Sequence, residues 1–109
     1  MSDRMINVVA LYNDAFTQNA DLLAADLTPK AGASRLRIVA AFSTSGKLYF
    51  RTVDGATEVN LVLNSDVALV ADALYEFTFD ITDDVDYNLQ YSGATGTLRK
   101  LVVNEVVSE

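Results

Sequence analysis

The chain has 109 residues, half of them hydrophobic, which suits one domain with one core and excludes a disordered tail. It contains no Cys and no His, so a disulfide framework, a thiolate zinc site and any Ser-His-Asp or Cys-His arrangement are excluded within it. The net charge of −7, from 15 acidic and 8 basic residues, opposes a phosphate backbone and an anionic membrane surface, so neither is expected as a partner.

The charge is unevenly spread. From Asp66 to Asp86 there are seven acidic residues and no basic one, a division by sign that suits either a solubilising surface or an ordered contact with a neighbour. No apolar run is long enough to span a bilayer. The first residues lack the basic, apolar, small layout of a secretion signal, so synthesis in the cytoplasm is the default expectation.

Taken in order, residues 5–12 are rich in Val and Ile and predict a first strand. Being short and close to a terminus, it is expected to pair with its own sheet or with a neighbouring chain. Residues 14–27 have two readings. Phe16, Leu22, Leu23 and Leu27 fit helical spacing, but the segment also reads as a loop followed by a strand at 20–27. The β-rich surroundings favour the strand. The chain is therefore divided into an N-terminal strand or arm, residues 1–19, and a β-domain, residues 20–109. Pro29 and Gly32 end this segment.

Residues 35–63 form the pattern around which the rest is arranged. Three β-rich runs are separated by Ser43 to Gly46 and by Asp54-Gly55, which predicts a three-stranded meander with one buried face. Leu36, Ile38, Ala40 and Phe42 share a face of the first run, Leu48 and Phe50 of the second, Val59, Leu61 and Leu63 of the third. Asn64-Ser65-Asp66 closes the third strand, and residues 67–71 are a short strand or a single helical turn.

Residues 74–81 alternate cleanly, with Tyr75, Phe77, Phe79 and Ile81 on one face. Tyr87, Leu89 and Tyr91 repeat the pattern. The last strand, 98–106, is expected to point Leu101 and Val103 inward and Arg99 and Glu105 outward. Seven to eight short strands in one small domain predict an all-β fold, an antiparallel sandwich or barrel.

The chemistry-bearing constellations are sparse. Asp80, Asp83, Asp84 and Asp86 form the one dense run of oxygen donors, a candidate calcium loop that lacks both EF-hand spacing and a Gly for the sharp turn. A solvated acidic loop between two strands is the preferred reading, so no metal and no cofactor is expected. Asp54, Glu58 and Glu76 are the carboxylates open to a glycoside-hydrolase reading, but nothing places two of them together. Tyr49 lies opposite Leu48 and Phe50, beside Lys47 and Arg51, and is the best candidate for an exposed aromatic contact. Arg35 and Arg37 alternate outward, with Arg51 expected beside them on a neighbouring strand. All three can pair with carboxylates of a partner or of the same sheet.

Read as a whole, residues 22–106 resemble the small jelly-roll structural proteins of tailed phages and related viruses. The resemblance is carried by Ser34-Arg35-Leu36-Arg37-Ile38-Val39, by Gly46-Lys47-Leu48-Tyr49-Phe50-Arg51 with Asp54-Gly55, and by Tyr75-Glu76-Phe77-Thr78-Phe79-Asp80. Tyr87-Asn88-Leu89-Gln90-Tyr91-Ser92 and Thr97-Leu98-Arg99-Lys100-Leu101-Val102-Val103 complete it. It implies a single antiparallel jelly-roll sandwich without catalytic residues, resident in the virion and made in the host cytoplasm. It further implies a capsid decoration, minor capsid, turret or tail component that binds the major capsid or another virion structural protein and forms homo-oligomers such as trimers. Met5, Ile6 and Val8 of the first strand, with Arg35, Arg37, Tyr49 and Arg51, are then the expected partner contacts. The rival expectation is a carbohydrate- or receptor-binding sandwich module that uses Tyr49 and the acidic loop, with calcium.

Overall fold

Alternating apolar residues, many of them β-branched or aromatic, become seven strands in the computed structural model, which describes residues 3–54 and 57–108. They are β1 (Asp3–Phe16), β2 (Ala33–Phe42), β3 (Leu48–Asp54), β4 (Thr57–Val62), β5 (Tyr75–Asp80), β6 (Asp86–Tyr91) and β7 (Gly96–Ser108). One sheet has the order β1-β7-β2-β5 and the other β4-β3-β6, with every pairing antiparallel. The fold is thus an all-β, two-sheet sandwich.

The core lies between the two inner faces. Leu36, Ile38, Ala40 and Phe42 of β2 and Leu101 and Val103 of β7 meet Leu48, Phe50, Tyr87, Leu89 and Tyr91 of the second sheet. Each large side chain so buried contributes roughly 1.5–3 kcal/mol. Phe42 and Tyr91 stack with centroids 3.7 Å apart, and Phe16 closes one end edge-on to both. Phe50 meets Phe79 edge-on at 4.8 Å, joining β3 to β5 across the layers.

The expected meander is corrected. β3 and β4 do form a hairpin, paired as far as Asp54↔Thr57; the expected turn there involves Gly55, which lies outside the described residues. β2, however, belongs to the other sheet. The chain crosses between layers at residues 43–47, where Gly46 packs so closely on Gly93 that a Cβ on it would stand 2.3 Å from the Gly93 nitrogen. A hairpin and a layer crossing carry the same turn signals, because alternation specifies a buried face without naming the sheet.

Three smaller expectations also change. Residues 20–27 form no continuous strand. They run beside the free edge of β6, bridged at Asp21↔Gln90 and Leu27↔Tyr87, and bulge away between. Glu105 points inward and is 1 % exposed, continuing the face of Leu101 and Val103 as its parity requires. Its carboxylate accepts from the Tyr87 hydroxyl at 2.6 Å and from the Lys30 amide at 2.9 Å. Val59 and Leu61 are half exposed, because β4 is an edge strand that the facing sheet does not cover. In residues 67–71, open to a strand or a helical turn, Leu69 is bridged to Gly46 and a turn follows at Ala71.

Candidate interaction surface

The expected contact residues do not form one surface: those of β1 and β2 belong to one sheet, Tyr49 and Arg51 to the other. Met5, Ile6 and Val8 lie on β1, the outermost strand of its sheet, with Met5 exposed and the other two half-buried. Ile6 stands opposite Glu105 on β7, and the register slips at Val8. Arg35 and Arg37 lie on β2. Arg35 reaches Asp3 at 3.4 Å across an exposed gap. Arg37 donates to both oxygens of Glu76, at 3.2 and 3.1 Å, and to Asn104 at 2.9 Å. Asn104 in turn donates to Asn7 of β1.

Arg51 does not join the other two arginines, because β3 belongs to the opposite sheet. It lies between Asn60 of β4 and Asn88 of β6 and is 7 % exposed. Its guanidinium donates from Nε and Nη2 to the two oxygens of Asp21, at 3.2 and 2.9 Å. Nη2 also donates to Asp26 at 2.8 Å, and Nη1 to Glu58 at 2.9 Å. Burial works against this charge, but Asp21 above all, then Asp26 and Glu58, hold its pKa above the ordinary value. Arg51 thus pairs with carboxylates of its own chain.

This hub fastens the bulged segment to the second sheet. Asn88, which the sequence reading passed over, completes it. The Leu23 amide donates to Asn88 Oδ1 at 3.1 Å, and Asn88 Nδ2 donates to Asp26 at 3.0 Å. The side chain therefore takes up groups that a continuous ladder would have paired. Beyond the bulge the main chain resumes pairing, the Leu27 amide donating to the Tyr87 carbonyl at 2.8 Å.

Fastening the segment there leaves an open cleft of about 710 Å³ between it and β1. Val9, Leu11 and Phe16 form one wall and Leu22, Leu23 and Leu27 the other, with Asp14 and Asp21 among its lining residues. Tyr49 faces outward on β3, half-buried between Val62 and Gln90, away from this cleft.

The acidic stretch is knitted into the fold. Asp66 takes Lys47 at 2.8 Å, Glu76 takes Arg37 and Asp72 takes Arg99 at 3.0 Å. The Asp66 hydrogen bond and charge raise the Lys47 pKa. Asp83 accepts from the Gly32 amide at 2.8 Å. Among the described residues no group of three or more acidic side chains is placed to hold a metal ion, Asp80, Asp83, Asp84 and Asp86 included.

Two tyrosines are set apart by burial. Tyr91 donates to the Thr44 carbonyl at 2.6 Å, and burial, with a smaller contribution from Tyr75, pushes its pKa up to about 12. Burial pushes the Tyr87 hydroxyl further still, reinforced by the carboxylate of Glu105. Neither hydroxyl is available as a base at neutral pH. No protein-family model, curated protein or solved structure matches the chain.

Proposed function

We propose that this chain is a non-enzymatic structural protein of a virion, a jelly-roll domain that binds a shell or tail component and associates with its own copies. The observation that carries the reading is the nesting of strand pairs. With residues 21–27 counted as a second strand among eight, the first pairs with the last (β1 with β7). The second pairs with the seventh (21–27 with β6), the third with the sixth (β2 with β5) and the fourth with the fifth (β3 with β4). That is one long hairpin, rolled so that β7 also meets β2 and β6 also meets β3. This nested order is the one expected of a rolled double Greek key, a fold that serves in capsid domains and also in lectins.

The side-chain chemistry supports the non-enzymatic half of the reading. The most buried charges, Arg51 and Glu105, are each bound to several partners of their own chain. These two groups are engaged in holding the fold together and do not stand free for proton transfer. A calcium-dependent lectin has less support, because Asp83 is already bound to Gly32 and Asp80, Asp84 and Asp86 do not converge with it.

Light scattering across a range of protein concentrations, with and without calcium, tests the choice. A concentration-dependent oligomer indifferent to calcium supports the structural reading. A monomer whose melting temperature rises with calcium overturns it in favour of the lectin.

A further inference from the structure

The sandwich has two open sides, and they differ. On one, β1 ends its sheet. Among the described residues its outer edge has no backbone partner, and from Met5 to Asn13 it carries no charged residue, Pro or Gly. Edge strands in monomeric proteins are usually blunted by such residues or by a bulge; β1 slips register once, at Val8, but from Val9 to Asn13 it is uncharged and regularly paired, a template for another strand. The apolar cleft of about 710 Å³ lies directly beneath it. A strand added to β1 would continue the sheet over the cleft and direct every second side chain into it.

On the other side, β4 ends the second sheet, and it supplies the matching feature. Leu61 stands opposite Phe50 and Val59 opposite Thr52. Phe50 is in the core, so Leu61 and Val59 are on the inner face. Both remain exposed, at 51 and 57 %, because β4 extends past the sheet that should cover it. They are two residues apart, a repeat of roughly 6.7 Å along the strand. Glu58, on the opposite face, is already held by Arg51.

We propose that copies of this chain dock side by side, the β4 edge of one adding to the β1 edge of the next. Val59 and Leu61 then enter the cleft walled by Val9, Leu11, Leu22 and Leu27. The inference rests on the self-association proposed above and names its surface. Inner face continues inner face, so two sandwiches become one longer two-layered structure. The interface joins unlike surfaces, and successive contacts close into a ring when the rotation per copy allows it, or otherwise extend as a row. A β-strand pairing between two β1 edges, or between two β4 edges, would instead be symmetric and stop at a dimer.

The test uses two variants of the full chain, V59D/L61D on the docking strand and A24R at the cleft. All three positions are exposed, so the fold should survive, and circular dichroism with thermal melting checks that it does. Light scattering should show self-association weakened about a hundredfold or more in each variant alone, since central apolar contacts dominate such interfaces. A mixture of the two should form a heterodimer and nothing larger, because each supplies the surface that the other lacks. An oligomer that persists in both variants overturns this interface while leaving the structural reading intact. A single variant that keeps its oligomer while the other loses it points to a symmetric contact and overturns the proposal, and variants that stay monomeric even when mixed overturn it too. A wild-type chain that is monomeric at every concentration overturns both proposals.

Discussion

Replacing Arg51 with Ala removes the cation that three carboxylates share. Four hydrogen bonds disappear, two to Asp21 and one each to Asp26 and Glu58. Bonds to charged groups are each worth roughly 1.5–3 kcal/mol, but a simple sum overstates the loss. The carboxylates are 34–59 % exposed, and water reclaims much of what each one loses. Arg51 itself is buried, so the packing of its aliphatic stem is lost as well. The expected cost of R51A is therefore about 3 kcal/mol, or roughly 10–15 °C in melting temperature for a domain of this size. R51K keeps the charge and loses the fork, and should fall about midway. As a control, R35A breaks an exposed pair at 3.4 Å and should cost at most about 0.5 kcal/mol. Urea unfolding at neutral pH measures all three. A cost below about 1 kcal/mol for R51A, or an R51K indistinguishable from wild type, would refute the claim that this guanidinium fastens residues 21–27 to the second sheet.

Gly46→Ala should cost about 3 kcal/mol or more in the same assay, since the new Cβ meets backbone of Gly93 that has nowhere to move. Ser65→Gly should stabilise by about 1 kcal/mol, because Ser65 has a φ of 55° in a run of left-handed residues from Asn64 to Asp66. Tyr87→Phe leaves the buried Glu105 carboxylate with the Lys30 amide as its remaining hydrogen-bond donor and should cost about 1–3 kcal/mol, whereas the same change at exposed Tyr12 should be close to neutral. Alkali should unfold the protein steeply. Tyr87 and Tyr91 have folded-state pKa values above the ordinary 10, so the stability that they contribute is complete below pH 10 and declines as pH rises towards and beyond 12. Tyrosinate absorbance should show these two rings titrating only as the fold opens. Their ionisation in a still-folded protein would contradict the burial described.

The faces of individual strands were legible before any tertiary information. Alternation put Leu36, Ile38, Phe42, Leu48, Phe50, Tyr87, Leu89 and Tyr91 inward, and all are buried. The same parity covers Glu105, whose charge suggested the wrong side. A buried carboxylate is tolerable there because Tyr87 and Lys30 hydrogen-bond to it, and neither is near it in sequence.

Sheet membership was not legible, because it depends on pairings between distant segments. The turn signals at residues 43–47 serve a hairpin and a crossing equally, and the partner that separates β2 from β3 is β7, more than fifty residues on. Arg51 shows the same division. Its outward position on β3 followed from alternation with Phe50. Its burial came from Asp21 and Asp26, which reach it only because residues 21–27 lie along β6. Composition and alternation determined an all-β core, its inward residues and the lack of His or Cys chemistry. Long-range pairing alone decided which strands share a sheet, which charges meet, and which apolar edges remain uncovered, since strand order is fixed by contacts that local pattern does not encode.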